Sequence, residues 1–192
     1  MSHDPRRSAA VLRLADGLRS LNRIVALLCG VAVLAAVVLI LIEIVGRQFP
    51  AVRLGGADEI SGYVMAGIAT WGFAFALTER AHVRIDILHL KLPAGGRALL
   101  DVVALASVAV VAAIVAWYAY DVLAKSITRG SRSNTPLGIQ LWIPQAIWFA
   151  GWVWLTLTSF VLLAATLLML ARRDFAGVDT LAGTNAETGE VA

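Results

Sequence analysis

Cysteine is nearly missing from this 192-residue chain: the single one, Cys29, lies within an apolar run. A lone cysteine excludes a disulfide framework and any thiolate-rich metal site. Charge is scarce too. Charged residues make up 15% and hydrophobic residues 59%, against about 25% and about 45–50% in soluble domains. Mean hydropathy is +0.80. A chain of this size cannot hide so much apolar surface in one globule, so lipid is its expected solvent. The sixteen Lys and Arg give a net charge of +3, but they are spread between apolar runs with no aromatic-basic platform, which argues against nucleic acid as a partner. All three histidines, His3, His82 and His89, fall outside the long apolar runs, which disfavours a haem held between helices.

What the sequence does have is four long uncharged stretches: 24–42, 60–78, 102–120 and the interval from Pro144 to Leu170. A spanning helix needs about 20 apolar residues to cross about 30 Å of hydrocarbon. The stretches are too long and continuous for barrel strands. The expected fold is therefore an all-α integral membrane protein with four transmembrane helices at about 24–45, 60–78, 98–120 and 144–170. Pro144 falls in a first turn, where a missing N–H costs nothing. The first stretch begins after 23 residues and no small-x-small cleavage site follows it, so it reads as a retained helix rather than a signal peptide.

Arg6, Arg7, Arg13, Arg19, Arg23, Arg80, Arg84, Lys91, Arg97, Arg172 and Arg173 fall on one side of such a bundle. Arg47, Arg53, Lys125, Arg129 and Arg132 fall on the other. Eleven against five places both termini in the cytoplasm. Trp117, Tyr118, Tyr120, Trp142 and Trp148 then gather at the outer interface, where amphipathic rings settle. In residues 1–23, Val11, Leu12, Leu14, Ala15, Leu18 and Leu21 recur at helical spacing opposite Arg13, Asp16, Arg19, Ser20 and Arg23. This predicts an amphipathic interfacial helix, serving as an anchor or as a contact. Residues 172–192 are small and polar and are expected to be a disordered cytoplasmic tail.

Candidate functional residues lie at the ends of the spans. Within them the polar groups are mostly hydroxyls (Thr70, Ser107, Thr156, Thr158, Ser159, Thr166). Ion-coupled carriers place carboxylates or broken helices near the midplane, and none is visible here. Gly62, Ala66, Thr70, Ala74 and Thr78 form a small-residue ridge, suited to close helix packing within this bundle or on another subunit. Glu43 and Arg47 have the i,i+4 spacing of a helix ion pair, and Asp58 and Glu59 open the second span at the positive end of its dipole. Such charges anchor helices at an interface, and these could also share the arginine. In 81–87, polar and apolar residues alternate, placing His82, Arg84 and Asp86 on one face. One histidine and one aspartate are too few for a metal, and no cofactor is expected.

At these residues the sequence resembles the small permease subunit (DctQ-like) of tripartite ATP-independent periplasmic (TRAP) transporters. The resemblance covers about residues 20–171. It rests on Glu43-Ile44-Val45-Gly46-Arg47, then Asp58-Glu59, then Ala69-Thr70-Trp71-Gly72-Phe73-Ala74. His82-Val83-Arg84-Ile85-Asp86 follows, similar to the family's Gly-His-Ile-Arg-Val-Asp. Thr135-Pro136-Leu137-Gly138-Ile139-Gln140-Leu141-Trp142-Ile143-Pro144 then leads into the fourth span. The sequence departs from the pattern with Ala81 before the histidine and Ala57 before the acidic pair. The resemblance implies a helper rather than an enzyme or a carrier, located in the bacterial inner membrane. Its partners would be lipid, a separate large permease subunit that binds substrate and sodium, and a periplasmic substrate-binding protein that delivers an organic acid. Two alternatives stand beside it: a membrane anchor of a respiratory enzyme, or a small proton-coupled exporter using Glu43. The solute cannot be named from this chain.

Overall fold

The computed structural model describes residues 5–48, 55–81 and 92–182. It is helical: α1 is Pro5–Gly46, α2 Ala57–Thr78, α3 Ala94–Arg129, α4 Trp142–Ala171 and α5 Phe175–Ala182. The first four are each long and apolar enough to cross a membrane. No proline interrupts them. Pro5 starts α1, Pro93 precedes α3 and Pro144 lies in the first turn of α4, where the leading N–H groups have no helical acceptor. α3 stops at Gly130, whose φ of 59° is left-handed, the conformation that turns a chain out of a helix.

α1 packs on α2, α2 on α4 and α4 on α3, while α5 folds back under α3 and α4. The core lies along this row: Ala74 and Leu77 of α2, Leu105 and Ala112 of α3, Leu155 and Leu162 of α4. Many buried positions are alanine, because helices in lipid gain stability from close backbone approach rather than from hydrophobic burial. Many of the large aliphatics point outward instead. In the most apolar window of α1 only 6% of residues are buried, the pattern expected where lipid replaces water.

The helices extend beyond the expected spans. α1 runs unbroken from Pro5 to Gly46, so the N-terminal helix and the first span are continuous. Leu18 packs on the core, and Asn22 is buried. α3 and α4 contain the spans expected at about 98–120 and 144–170, and hydrogen bonding continues into the charged turns of α3 that need no lipid. The segment after Ala171 is also not a structureless tail throughout. Residues 175–182 form α5, whose Val178 is buried against Ala98 and Met169. Residues 183–192 lie outside the described part.

Candidate functional site

The bundle has an upper end, where the α1–α2 and α3–α4 connections lie, and a lower end, where α5 packs. At the upper end the structure joins three of the predicted residues. Arg47 Nη2 is 3.9 Å from Glu43 Oε1 and 3.8 Å from Asp58 Oδ2. Both distances exceed hydrogen-bond reach, so this is a loose, shared pairing that ties α1 to the start of α2. The Glu43 side chain is 13% exposed, and its Oε2 has no hydrogen-bond partner.

Glu59 turns away from Arg47. It accepts a hydrogen bond from Tyr63 Oη at 2.6 Å and another from Thr135 Oγ1. Ser133 Oγ lies 2.9 Å from Thr135 Oγ1. Thr135 sits in a loop closed by Ser133 N to Ile139 O and Leu141 N to Ser131 O. That loop presses Leu137 against Gly56, whose φ is 110°. A side chain at residue 56 would collide with Leu137 and would strain the backbone. Trp142, at the start of α4, donates its Nε1 to Gln140 Oε1 at 2.7 Å.

The ridge on α2 divides in two. Gly62 and Ala66 are exposed, whereas Thr70 and Ala74 are buried. Thr70 faces Gly151 of α4, and a Cβ at residue 151 would run into the Thr70 hydroxyl. Trp71 Nε1 donates to Ile147 O at 3.0 Å, and its ring stacks on Trp154 at 6.5 Å. One half of the ridge therefore serves this chain's own α2–α4 contact. His82, Arg84 and Asp86 lie outside the described residues.

Sequence reading missed a polar clasp at the lower end. Asn22 is 0% exposed. Its Nδ2 donates to Ala74 O at 3.3 Å and Thr78 Oγ1 at 3.4 Å, and its Oδ1 accepts from Trp154 Nε1 at 2.7 Å. One amide thus links α1, α2 and α4. Just beyond it, Glu79 accepts from Arg19 Nε at 2.9 Å and from Arg19 Nη2, with Arg23 at 3.7 Å. The Arg19 hydrogen bonds hold the Glu79 carboxyl below the usual carboxylate range against the opposing effect of burial. The charges of Arg19, Arg23 and Arg80 add to the lowering. The available signal for Asn22 was its i−4 and i+3 neighbours, Leu18 and Val25, which are both apolar. Among the described residues no group of three or more His, Cys, Asp and Glu side chains could hold a metal ion.

A family model for the DctQ component of tripartite ATP-independent periplasmic transporters matches residues 36–173. The chain belongs to the TRAP transporter small-subunit family. It is therefore a multi-pass membrane component of a transporter rather than an enzyme, in a family that works with a large permease and a binding protein. No curated protein and no solved structure matches. The DctQ match takes in Glu43, Arg47, Asp58, Glu59 and the loop around Thr135, but begins after Asn22 and Arg19. Membership sets aside the respiratory-anchor and exporter alternatives.

Proposed function

We propose that this subunit braces the large permease subunit of a TRAP transporter in the bacterial inner membrane. It would support sodium-coupled secondary uptake of an organic acid delivered by a periplasmic binding protein. The observation that carries this reading is the placement of charge. Stretches 24–42, 60–78, 102–120 and 144–170 contain no Asp, Glu, Lys, Arg or His, and Glu43, Arg47, Asp58, Glu59 and Glu79 sit in ion pairs or hydrogen bonds at helix ends. Coupling-ion and substrate sites need polar groups near the midplane, so the coupling chemistry belongs to the partner. Gly62 and Ala66, exposed on α2, offer a close-packing surface of the kind that joins helices in lipid. Both termini are assigned to the cytoplasm on the basic-residue asymmetry.

The test is solute uptake per assembled complex in proteoliposomes at several sodium concentrations. Arg47→Ala is expected to lower complex yield and uptake together, with the sodium dependence of the remaining complex unchanged. Normal assembly of Glu43→Gln with an altered sodium dependence would assign coupling to this chain and end the bracing proposal.

A further inference from the structure

A slot runs down the α1–α2 seam, on the side away from α4. It encloses 380 Å³ and is lined by Val33, Ala36 and Ile40 of α1 and Ser61, Met65 and Ala69 of α2. Apart from the Ser61 hydroxyl, which is committed to Asp58 O at 3.0 Å, the lining side chains are apolar. Both walls lead to the same point. Ile40, Glu43 and Arg47 follow one another at helical spacing on α1, as do Met65, Ser61 and Asp58 on α2. The Arg47–Asp58 pair therefore stands over the upper end of the slot.

Arg47 is not used up there. Its side chain is 59% exposed, and its two ion-pair distances leave its guanidinium donors without a hydrogen bond among the described residues. A guanidinium is the side chain best shaped to grip phosphate oxygens in pairs. Asp58, 89% exposed beside it, is an acceptor for a cation. A phosphate alone would meet repulsion from Asp58 and Glu43. A phosphate carrying an ammonium group would not, because the ammonium pairs with Asp58 while the phosphate pairs with Arg47.

We infer that this seam binds one phosphatidylethanolamine-type lipid, an acyl chain in the slot and the zwitterionic headgroup across Arg47 and Asp58. The slot supplies apolar burial for the acyl chain. A chain already in the bilayer gains little from entering it, so selection comes from the headgroup. This inference needs only the membrane character of the chain and is independent of the bracing role.

The experiment is native mass spectrometry of the full chain from mild detergent, with added phosphatidylethanolamine, phosphatidylcholine or phosphatidylglycerol of matched chains. One ethanolamine lipid is expected to be retained per chain, roughly tenfold over the glycerol lipid, the order expected of one charge-assisted hydrogen bond. Choline lipid should fall between, since its quaternary ammonium has no N–H for Asp58. Two variants test the two halves of the site. Glu43→Gln with Arg47→Gln removes the phosphate grip without leaving Glu43 uncompensated, and Ala69→Trp fills the slot from its exposed side. Each should lose most of the retained lipid while keeping wild-type helicity and a monodisperse profile. Equal retention of the glycerol lipid overturns the inference, as does unchanged retention in either variant. A third overturning result is that Ala69→Trp leaves lipid in place but blocks co-purification of the large subunit. In that case a partner helix, not a lipid, fills the seam. Should Ala69→Trp misfold, the double variant and the headgroup comparison decide alone.

Discussion

A single buried amide, that of Asn22, ties three helices of this chain together. Asn22 satisfies an indole N–H, a carbonyl and a hydroxyl from two other helices, so its removal strands the Trp154 donor away from water. Asn22→Leu should cost roughly 1–2 kcal/mol, the range for an interhelical hydrogen bond in a membrane plus part of an orphaned donor. Adding Trp154→Phe should recover some of that loss, since neither partner is then left unpaired. Unfolding in mixed micelles would measure both. Glu79 adds a dependence on pH. Its folded pKa is depressed by Arg19, so its stabilisation is complete above the unfolded value of about 4.3 and fades as pH falls through the lower folded value. The unfolding midpoint should drop on acidification below about pH 4, and less steeply in Glu79→Gln. No change of slope in that variant would remove Glu79 from the clasp.

Helices are where sequence and structure agree best, and where their disagreement is most instructive. Four apolar stretches announce four spans because lipid demands length and an absence of charge. Those rules stop at the membrane surface. Beyond it a helix ends only where caps and breakers say so, and α3 carries on from Tyr120 to Gly130 because nothing in between turns the chain. α5 escaped notice because Phe175–Ala182 is short and rich in small residues, with its apolar side chains meaningful only against α3 and α4. Glu43 and Arg47 were readable as a pair from helix spacing, and Asp58 and Glu59 as acids that could share the arginine, of which Asp58 does. Asn22 was not readable, since a polar residue on a helix flank reads as solvated until the rotation of that helix is known. The α2–α4 contact depends on the missing side chain of Gly151, whose Cβ would overlap Thr70. Gly151→Ala should therefore lower stability by roughly 1–3 kcal/mol, the usual cost of overpacking. Thr70→Ala in the same chain should restore most of it, and micelle unfolding of the pair supplies the check.

At the scale of the whole molecule, the helices form a row with an uncovered apolar perimeter, and charge among the described residues lies toward its two ends. The orientation of that row is testable on its own. With Cys29 replaced by alanine, a cysteine at the exposed Asn134 should react with an impermeant thiol reagent added outside intact cells. One at the exposed Arg13 should react only after lysis. The reverse pattern would invert the molecule. Helix lengths add a further consequence. α1, at 42 residues, and α3, at 36, are about 63 and 54 Å long, whereas α2, at 22 residues, is only about 33 Å. The long helices can lean or protrude without harm. α2 cannot, because Asp58 and Glu59 hold one end and Glu79 and Arg80 the other. The shortest of the four spanning helices thus makes the molecule a caliper for bilayer thickness: a membrane a few ångströms thicker must either thin around α2 or draw its terminal charges into hydrocarbon.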